Sequence, residues 1–201
     1  MTNLRASVIQ QINNGLQEAS DKIEIPDPVK WIQKEFYIPE TRNDPKLRGR
    51  LQLQPYQQDA LREAFSIDER GLFKYDIIIW SDIKKSIKST IAAAVNLYRS
   101  TFTNWGEFYV VANDLKQANS RVAQYIRRAI SLNPKMKNYR AHGYEVSTPS
   151  GSVIEAVPID PTGEAGSNAD MITFSEQGLC VAWDDRDDSI FRGDSKRKRS
   201  I

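Results

Sequence analysis

The residues best suited to chemistry lie between positions 75 and 90. An apolar run, Ile77–Trp80, is followed by a short polar segment and then by the sequence Lys88-Ser89-Thr90. This is the order of a phosphate-binding loop, in which backbone N–H groups and a lysine ammonium hold a polyphosphate while a hydroxyl holds magnesium. The segment therefore predicts a site for a phosphorylated ligand at the junction of a strand and a helix.

Asp82 and Ile87 occupy the two glycine positions of the G-x-x-x-x-G-K-[ST] pattern. Glycine suits such positions because it adopts positive φ freely, whereas a β-branched residue there is an outlier. The sequence thus predicts either a loop with negative φ at Ile87 or a weakened affinity for nucleotide. The alternative interpretation is an ordinary helix N-terminus, capped by Ser86 or Ser89.

The surrounding pattern predicts the elements that must position this segment. Buried strands are expected at Ile77–Trp80, Phe108–Ala112 and Ala169–Phe174, with helices over 88–102 and 115–132. A hairpin is expected where Tyr144–Thr148 and Val153–Pro158 flank a Pro-Ser-Gly-Ser turn. Alternation of strands and helices favours an α/β fold, with a mostly parallel sheet covered by helices on both faces.

The N-terminal part reads as helical and the C-terminal part as irregular. Helices are expected over 1–24, over Val29–Phe36 and from Pro55 onward, because apolar residues recur at three- and four-residue steps and proline favours a first helical turn. A polar connector fills 37–50. We expect a helical extension over 1–50, a core over 51–176 and a charged tail over 177–201.

Composition limits the function classes. The chain has 201 residues, of which 40% are apolar and 27% charged, as in globular domains. It has no apolar run near the roughly 20 residues that cross a bilayer. The single cysteine, Cys180, excludes a disulfide framework and a zinc site built on cysteines, and it suits a reducing cytoplasm. His142 is the only histidine, and its neighbours suggest a loop rather than a catalytic triad.

Four segments, in this order, resemble the ATPase domain of phage large terminase subunits, the motors that pump DNA into viral capsids. They are Leu53–Gln57, Ile83–Ala94, Ala112–Ala118 and Gly163–Glu176. The resemblance covers roughly residues 50–176. It implies a P-loop NTPase-like fold of the additional-strand type, and hydrolysis of ATP coupled to movement of DNA.

The resemblance also implies roles for single residues. Lys88 would contact the β- and γ-phosphates, Ser89 would place its hydroxyl on Mg²⁺, and Thr90 would lie beside the α-phosphate. Glu176 would orient the attacking water for in-line phosphoryl transfer. Gln57 would read the edge of adenine.

The remaining members of the expected site are less typical of the family. Lys84 and Lys85 stand where many terminases carry a phosphate-sensing arginine, so the nucleotide-binding set is Gln57, Lys84, Lys85, Ser86, Ile87, Lys88, Ser89 and Thr90. Ser175 replaces the usual Walker B aspartate and would hold a magnesium-bound water. Considered alone, Gln57 is typical of a solvated helix residue and Ser175-Glu176 of a strand end at the surface.

The expected partners follow from the same resemblance. They are double-stranded viral DNA, a portal, a small terminase subunit and further copies of the chain in a ring, in the cytoplasm of a bacterial host, with no membrane. A basic stretch could follow a DNA backbone or form a solvated surface; its residues are Arg121, Arg127, Arg128, Lys135, Lys137 and Arg140.

The sequence beyond Glu176 does not align with the rest of such a motor, nor with its nuclease domain. We therefore expect truncation or a shifted reading frame after that residue. An alternative from another class is a non-catalytic remnant of the same fold, acting as a binding or assembly module. A helicase-like translocase would need a second motor domain that 201 residues cannot supply.

Overall fold

The computed structural model describes residues 25–39, 49–69, 71–112, 115–158 and 168–174. The helix predicted over 1–24 and most of the polar connector lie outside the described residues. So do Ser175, Glu176 and the whole charged tail.

The helices begin and end close to their predicted positions. They are α1 (Pro28–Glu35), α2 (Pro55–Ala64), α3 (Lys88–Phe102), α4 (Leu115–Ala118) and α5 (Gln124–Leu132), and a π-helix over Asn119–Ala123 joins the last two. Proline occupies the first position of α1 and α2, where it lacks only an N–H that would have no partner anyway. The prediction of helices at these places is confirmed.

Within the described residues, five strands form one sheet in the order β2-β3-β4-β1-β5. They are β1 (Glu107–Ala112), β2 (Arg140–His142), β3 (Glu145–Ser147), β4 (Val153–Pro158) and β5 (Ala169–Phe174). β1 is parallel to β4 and to β5, whereas β2–β3 and β3–β4 are antiparallel. The sheet is therefore mixed, and the prediction of a mostly parallel sheet was wrong.

Two tight turns cause the antiparallel half. The predicted hairpin is present: the Thr148 amide donates to the Ser152 carbonyl at 2.9 Å, and Gly151 adopts φ +82° between them. A second turn at Gly143, with φ +56°, places Arg140–His142 in a strand rather than in the expected loop. Short turns reverse the chain, whereas a parallel neighbour needs a long crossover.

The core lies between α3 and the sheet, where α3 packs against β1 and β4 while α1 and α5 pack against α3. Ala93, Ala94 and Leu97 in α3 are fully buried, as are Phe108 in β1 and, almost completely, Ile154 in β4. Small alanines let the helix approach the sheet closely, as the sequence pattern predicted. This packing fixes α3 and thereby the position of its first turn.

The segment Ile77–Trp80 is not the buried central strand that its composition predicted. It has no strand assignment, and Ile77 and Ile79 are 76% and 85% exposed. Only Trp80 of this run packs against the core. The physical reason is that a strand needs a hydrogen-bonded neighbour, and the described part of the sheet pairs nothing with this segment. β5 also differs from prediction, being half-exposed at the sheet edge rather than buried.

Candidate phosphate-binding loop

The candidate site consists of residues 81–87, called here the 81–87 loop, and the first turn of α3. The helix leads through a short connection, 103–106, directly into β1. It therefore runs back along the sheet, and its N-terminus lies toward the edge where β1 ends. Ligands of open α/β sheets bind outside the carboxyl ends of the strands, so the loop lies where such a ligand would be expected.

The backbone of the loop has positive φ at Ile87, the position where glycine is missing. Ile87 has φ +60° and ψ +23°, and Lys85 has φ +72°, so both are left-handed. A residue with a Cβ loses roughly 1–2 kcal/mol in this conformation. The loop thus adopts at Ile87 a conformation suited to glycine, and it carries the strain of having isoleucine there.

The start of α3 is not an ordinary capped helix end. Ile87 occupies the N-cap, and no side chain of Ser86 or Ser89 caps the first turn. The first helical bond runs from the Ile91 amide to the Ile87 carbonyl at 2.9 Å. Amides of the first turn have no acceptor within a helix, and together with the helix dipole they favour an anion. The uncapped turn is thus available to a phosphate.

Lys88 points back into the 81–87 loop. Its ammonium donates to the carbonyl oxygens of Asp82 at 2.6 Å and of Ile83 at 2.8 Å. Its side chain is half-buried. The cation is therefore held within the 81–87 loop, which leads directly into the first turn of α3.

The other loop residues differ in exposure. Lys84 and Lys85 are exposed, so neither is held against the rest of the protein. Ser89 is half-buried in the first turn, whereas Thr90 is only 7% exposed. A hydroxyl on the first turn is a suitable ligand for Mg²⁺, which prefers oxygen and keeps several waters and phosphate oxygens as its other ligands.

Gln57 is buried rather than solvated. It is 2% exposed, and its amide nitrogen donates to the Ser86 carbonyl at 3.2 Å. Its amide oxygen accepts from the Gln54 amide at 3.0 Å. The structure therefore brings the expected nucleobase reader into direct contact with the expected phosphate loop.

Sequence reasoning gave no role to Tyr56 and Asp82, which also join α2 to the loop. The Tyr56 hydroxyl donates to the Asp82 carboxylate at 3.0 Å. Burial acts to raise the pKa of Asp82, but hydrogen bonds from the Ile83 amide and from Tyr56 outweigh it and hold that pKa below its usual value. The signal that could have revealed the pair is the position of Tyr56 next to Gln57.

The described residues hold no group of three or more His, Cys, Asp or Glu side chains that could bind a metal. Ser175 and Glu176, the expected metal-site and catalytic residues, come directly after β5 in the sequence but lie outside the described residues. Their placement relative to Lys88 stays a prediction.

β5 is tied to α3 by a buried contact. The Asn96 amide donates to the Thr173 hydroxyl at 2.8 Å, and Asn96 is fully buried. Thr173 is the second-to-last residue of β5, which runs parallel to β1. The strand that precedes Glu176 therefore ends at the same edge of the sheet as β1.

The basic stretch is partly structural. Arg127 donates to the Gly143 carbonyl at 3.1 Å, and Lys135 pairs with Glu35 at 2.8 Å. Lys137 and Arg140 are exposed. His142 is exposed in β2. Among those residues, no helix is long and apolar enough to cross a membrane.

Comparison with known proteins gives one informative result. No protein-family model and no curated protein matches the sequence. Among solved structures, the crystal structure of the HK97 bacteriophage large terminase is similar, with a TM-score of 0.56 and 16% identity over 74% of this chain. The alignment spans 37% of that terminase chain. The mixed α/β fold is therefore terminase-like, in agreement with the resemblance seen in the sequence.

Proposed function

We propose that this chain is an ATP-binding and ATP-hydrolysing module of the phage terminase type. The observation that carries the proposal is the first turn of α3, which is uncapped and preceded by left-handed Ile87, with the Lys88 side chain folded back into the 81–87 loop. An ordinary helix start would be capped by one of the neighbouring serines. The terminase-like fold supports the proposal independently.

The roles in the proposed site are those that the resemblance to terminase ATPase domains implies. Lys88 would exchange its carbonyl partners for the β- and γ-phosphates, and the amides of the first turn would bind phosphate oxygens. The hydroxyl of Ser89 would hold Mg²⁺, which when bound neutralises charge on the phosphates. Thr90 would lie near the α-phosphate, and Lys84 and Lys85 would supply cations at the exposed rim.

The hydrolytic step depends on residues just beyond β5. Glu176 would orient a water for in-line attack on the γ-phosphorus, with the bond to the bridging oxygen breaking and ADP leaving. Ser175 would contact a magnesium-bound water. In the whole proposed motor, hydrolysis would drive the translocation of double-stranded DNA. The partners would be a portal, a small terminase subunit and further copies of the chain in a ring, in the host cytoplasm.

A second candidate is a non-catalytic binding or assembly module with the same fold. One observation favours it: the Lys88 ammonium must give up two hydrogen bonds to backbone carbonyls before it meets a phosphate. Their loss opposes ligand binding. This candidate predicts a folded chain that neither binds nor hydrolyses ATP.

Phosphate release from Mg-ATP by the full chain separates the two. We expect slow but saturable turnover that Glu176→Gln lowers about a hundredfold, as loss of a positioned carboxylate does. Glu69→Gln, at an exposed glutamate outside the site, is the matched control and should leave the rate unchanged. Turnover that is absent in the wild type, or equal in Glu176→Gln, contradicts the hydrolytic assignment.

A further inference from the structure

Two consecutive residues of α2 hold both ends of the 81–87 loop. Tyr56 donates to the side chain of Asp82, and Gln57 donates to the carbonyl of Ser86. The two residues also contact each other, since the Gln57 amide donates to the Tyr56 oxygen at 3.2 Å. The start of α2 and the loop are therefore one hydrogen-bonded unit.

The hydrogen-bonding capacity of Gln57 is nearly used up by these contacts. A glutamine amide has two N–H donors and one carbonyl oxygen. Both kinds of group are occupied: the nitrogen donates to Ser86 and Tyr56, and the oxygen accepts from the Gln54 amide. The orientation of the amide is fixed by these partners, because its oxygen faces an N–H and its nitrogen faces a carbonyl. With 2% exposure, it has almost no surface left for a ligand.

A side-chain amide reads the edge of a base by donating one hydrogen bond to the base and accepting another from it at the same time. To read adenine in this way, Gln57 would have to release either Ser86 or Tyr56, and each of these contacts ties α2 to one end of the loop that binds the phosphates. Reading the base and holding the loop therefore compete for the same two N–H groups.

We infer that Gln57, together with Tyr56, is a positioning residue that holds the 81–87 loop for polyphosphate, and that the site selects its ligand by the phosphate chain and not by the base. This inference rests on the proposed function, since it concerns the same site. The ligand class is nucleoside triphosphates of any base, because Gln57 does not distinguish one base from another. The Tyr56 contact adds support, because it ties the same turn of α2 to the other end of the loop.

Equilibrium binding of Mg-ATP, Mg-GTP and Mg-tripolyphosphate tests the inference directly. Gln57→Ala should weaken all three by a similar factor, about tenfold, the equivalent of one net hydrogen bond. Gln58→Ala is the matched control, because Gln58 lies on the same helix and bonds to the Leu53 carbonyl rather than to the loop. A selective loss of ATP binding, with GTP and tripolyphosphate unaffected, would overturn the inference.

Amide hydrogen exchange without ligand tests the loop itself and does not depend on nucleotide binding. Gln57→Ala should speed exchange within residues 83–87, and Gln58→Ala should not. Tyr56→Phe, a conservative change at a side chain that is 54% exposed, should speed exchange in the same residues without threatening the fold. If no polyphosphate binds yet exchange responds as stated, the proposed function fails and the positioning role stands. Unchanged exchange in both loop variants overturns the positioning role.

Discussion

The body of α3 and the 81–87 loop that precedes it are built in opposite ways. Within the helix, Ala93, Ala94 and Leu97 are fully buried, and every apolar side chain on that face meets the sheet or another helix. In the loop, Ile83 is 78% exposed and Ile87 is left-handed. Packing holds the helix, whereas a few hydrogen bonds hold the loop against unfavourable torsions.

The difference teaches where stability and chemistry reside in this chain. A rigid helix supplies the first turn with its free amides and the Lys88 side chain, and the loop supplies the carbonyl groups that hold the Lys88 ammonium. Backbone strain of the kind seen at Ile87 persists only where surrounding contacts impose it. Here the imposing contacts come from Gln57, Tyr56 and Lys88.

Truncation in the packed helix should have the largest effect on stability. Leu97→Ala should lower the free energy of unfolding by about 2–5 kcal/mol, because it removes a fully buried side chain and leaves a cavity. Ile83→Ala, at a residue that is 78% exposed in the loop, should cost far less. Urea unfolding of both variants measures the contrast. Equal losses at the two positions would show that burial does not distinguish helix from loop.

Relief of strain in the loop should have a smaller and opposite effect. Ile87→Gly should raise the free energy of unfolding by about 0.5–1 kcal/mol, since removal of the left-handed penalty exceeds the entropy that glycine adds to the unfolded chain. Ile83→Gly is the control in the same loop, because Ile83 is not among the positive-φ residues. It should destabilise slightly. Destabilisation by both variants to the same extent would rule out strain at Ile87.

The exposed apolar run before the loop should have the smallest effect. Ile79→Ser should change the free energy of unfolding by less than about 0.5 kcal/mol, as expected for a side chain that is 85% exposed. Ile91→Ser, in α3 at 3% exposure, is the buried counterpart and should destabilise strongly. A large loss of stability for Ile79→Ser in thermal unfolding would indicate that Ile77–Trp80 is a buried strand, as its composition predicted.

Local signals predicted most of the elements. Proline at Pro28 and Pro55 marked two helix starts, apolar spacing marked α3, and the Pro-Ser-Gly-Ser turn marked the β3–β4 hairpin. All of these are present. Such signals succeed because proline, glycine and periodicity act within a few residues of chain.

What could not be predicted depends on residues far apart in sequence. Four consecutive apolar residues at Ile77–Trp80 resemble a central strand, yet a strand forms only beside a partner that the segment itself does not encode. Burial of Gln57 depends on Ser86, which lies 29 positions away. The sequence shows that Ile87 stands where glycine is usual, but the sign of φ at Ile87 depends on the three-dimensional contacts of the loop.

The central claim is that the 81–87 loop and the first turn of α3 bind polyphosphate. Titration of the full chain with a fluorescent ATP analogue, with and without Mg²⁺, tests it most directly. We predict saturable, magnesium-enhanced binding that Lys88→Ala abolishes and that Lys137→Ala, at an exposed lysine outside the loop, leaves intact. No binding by the wild type, or equal binding by Lys88→Ala, would contradict the claim.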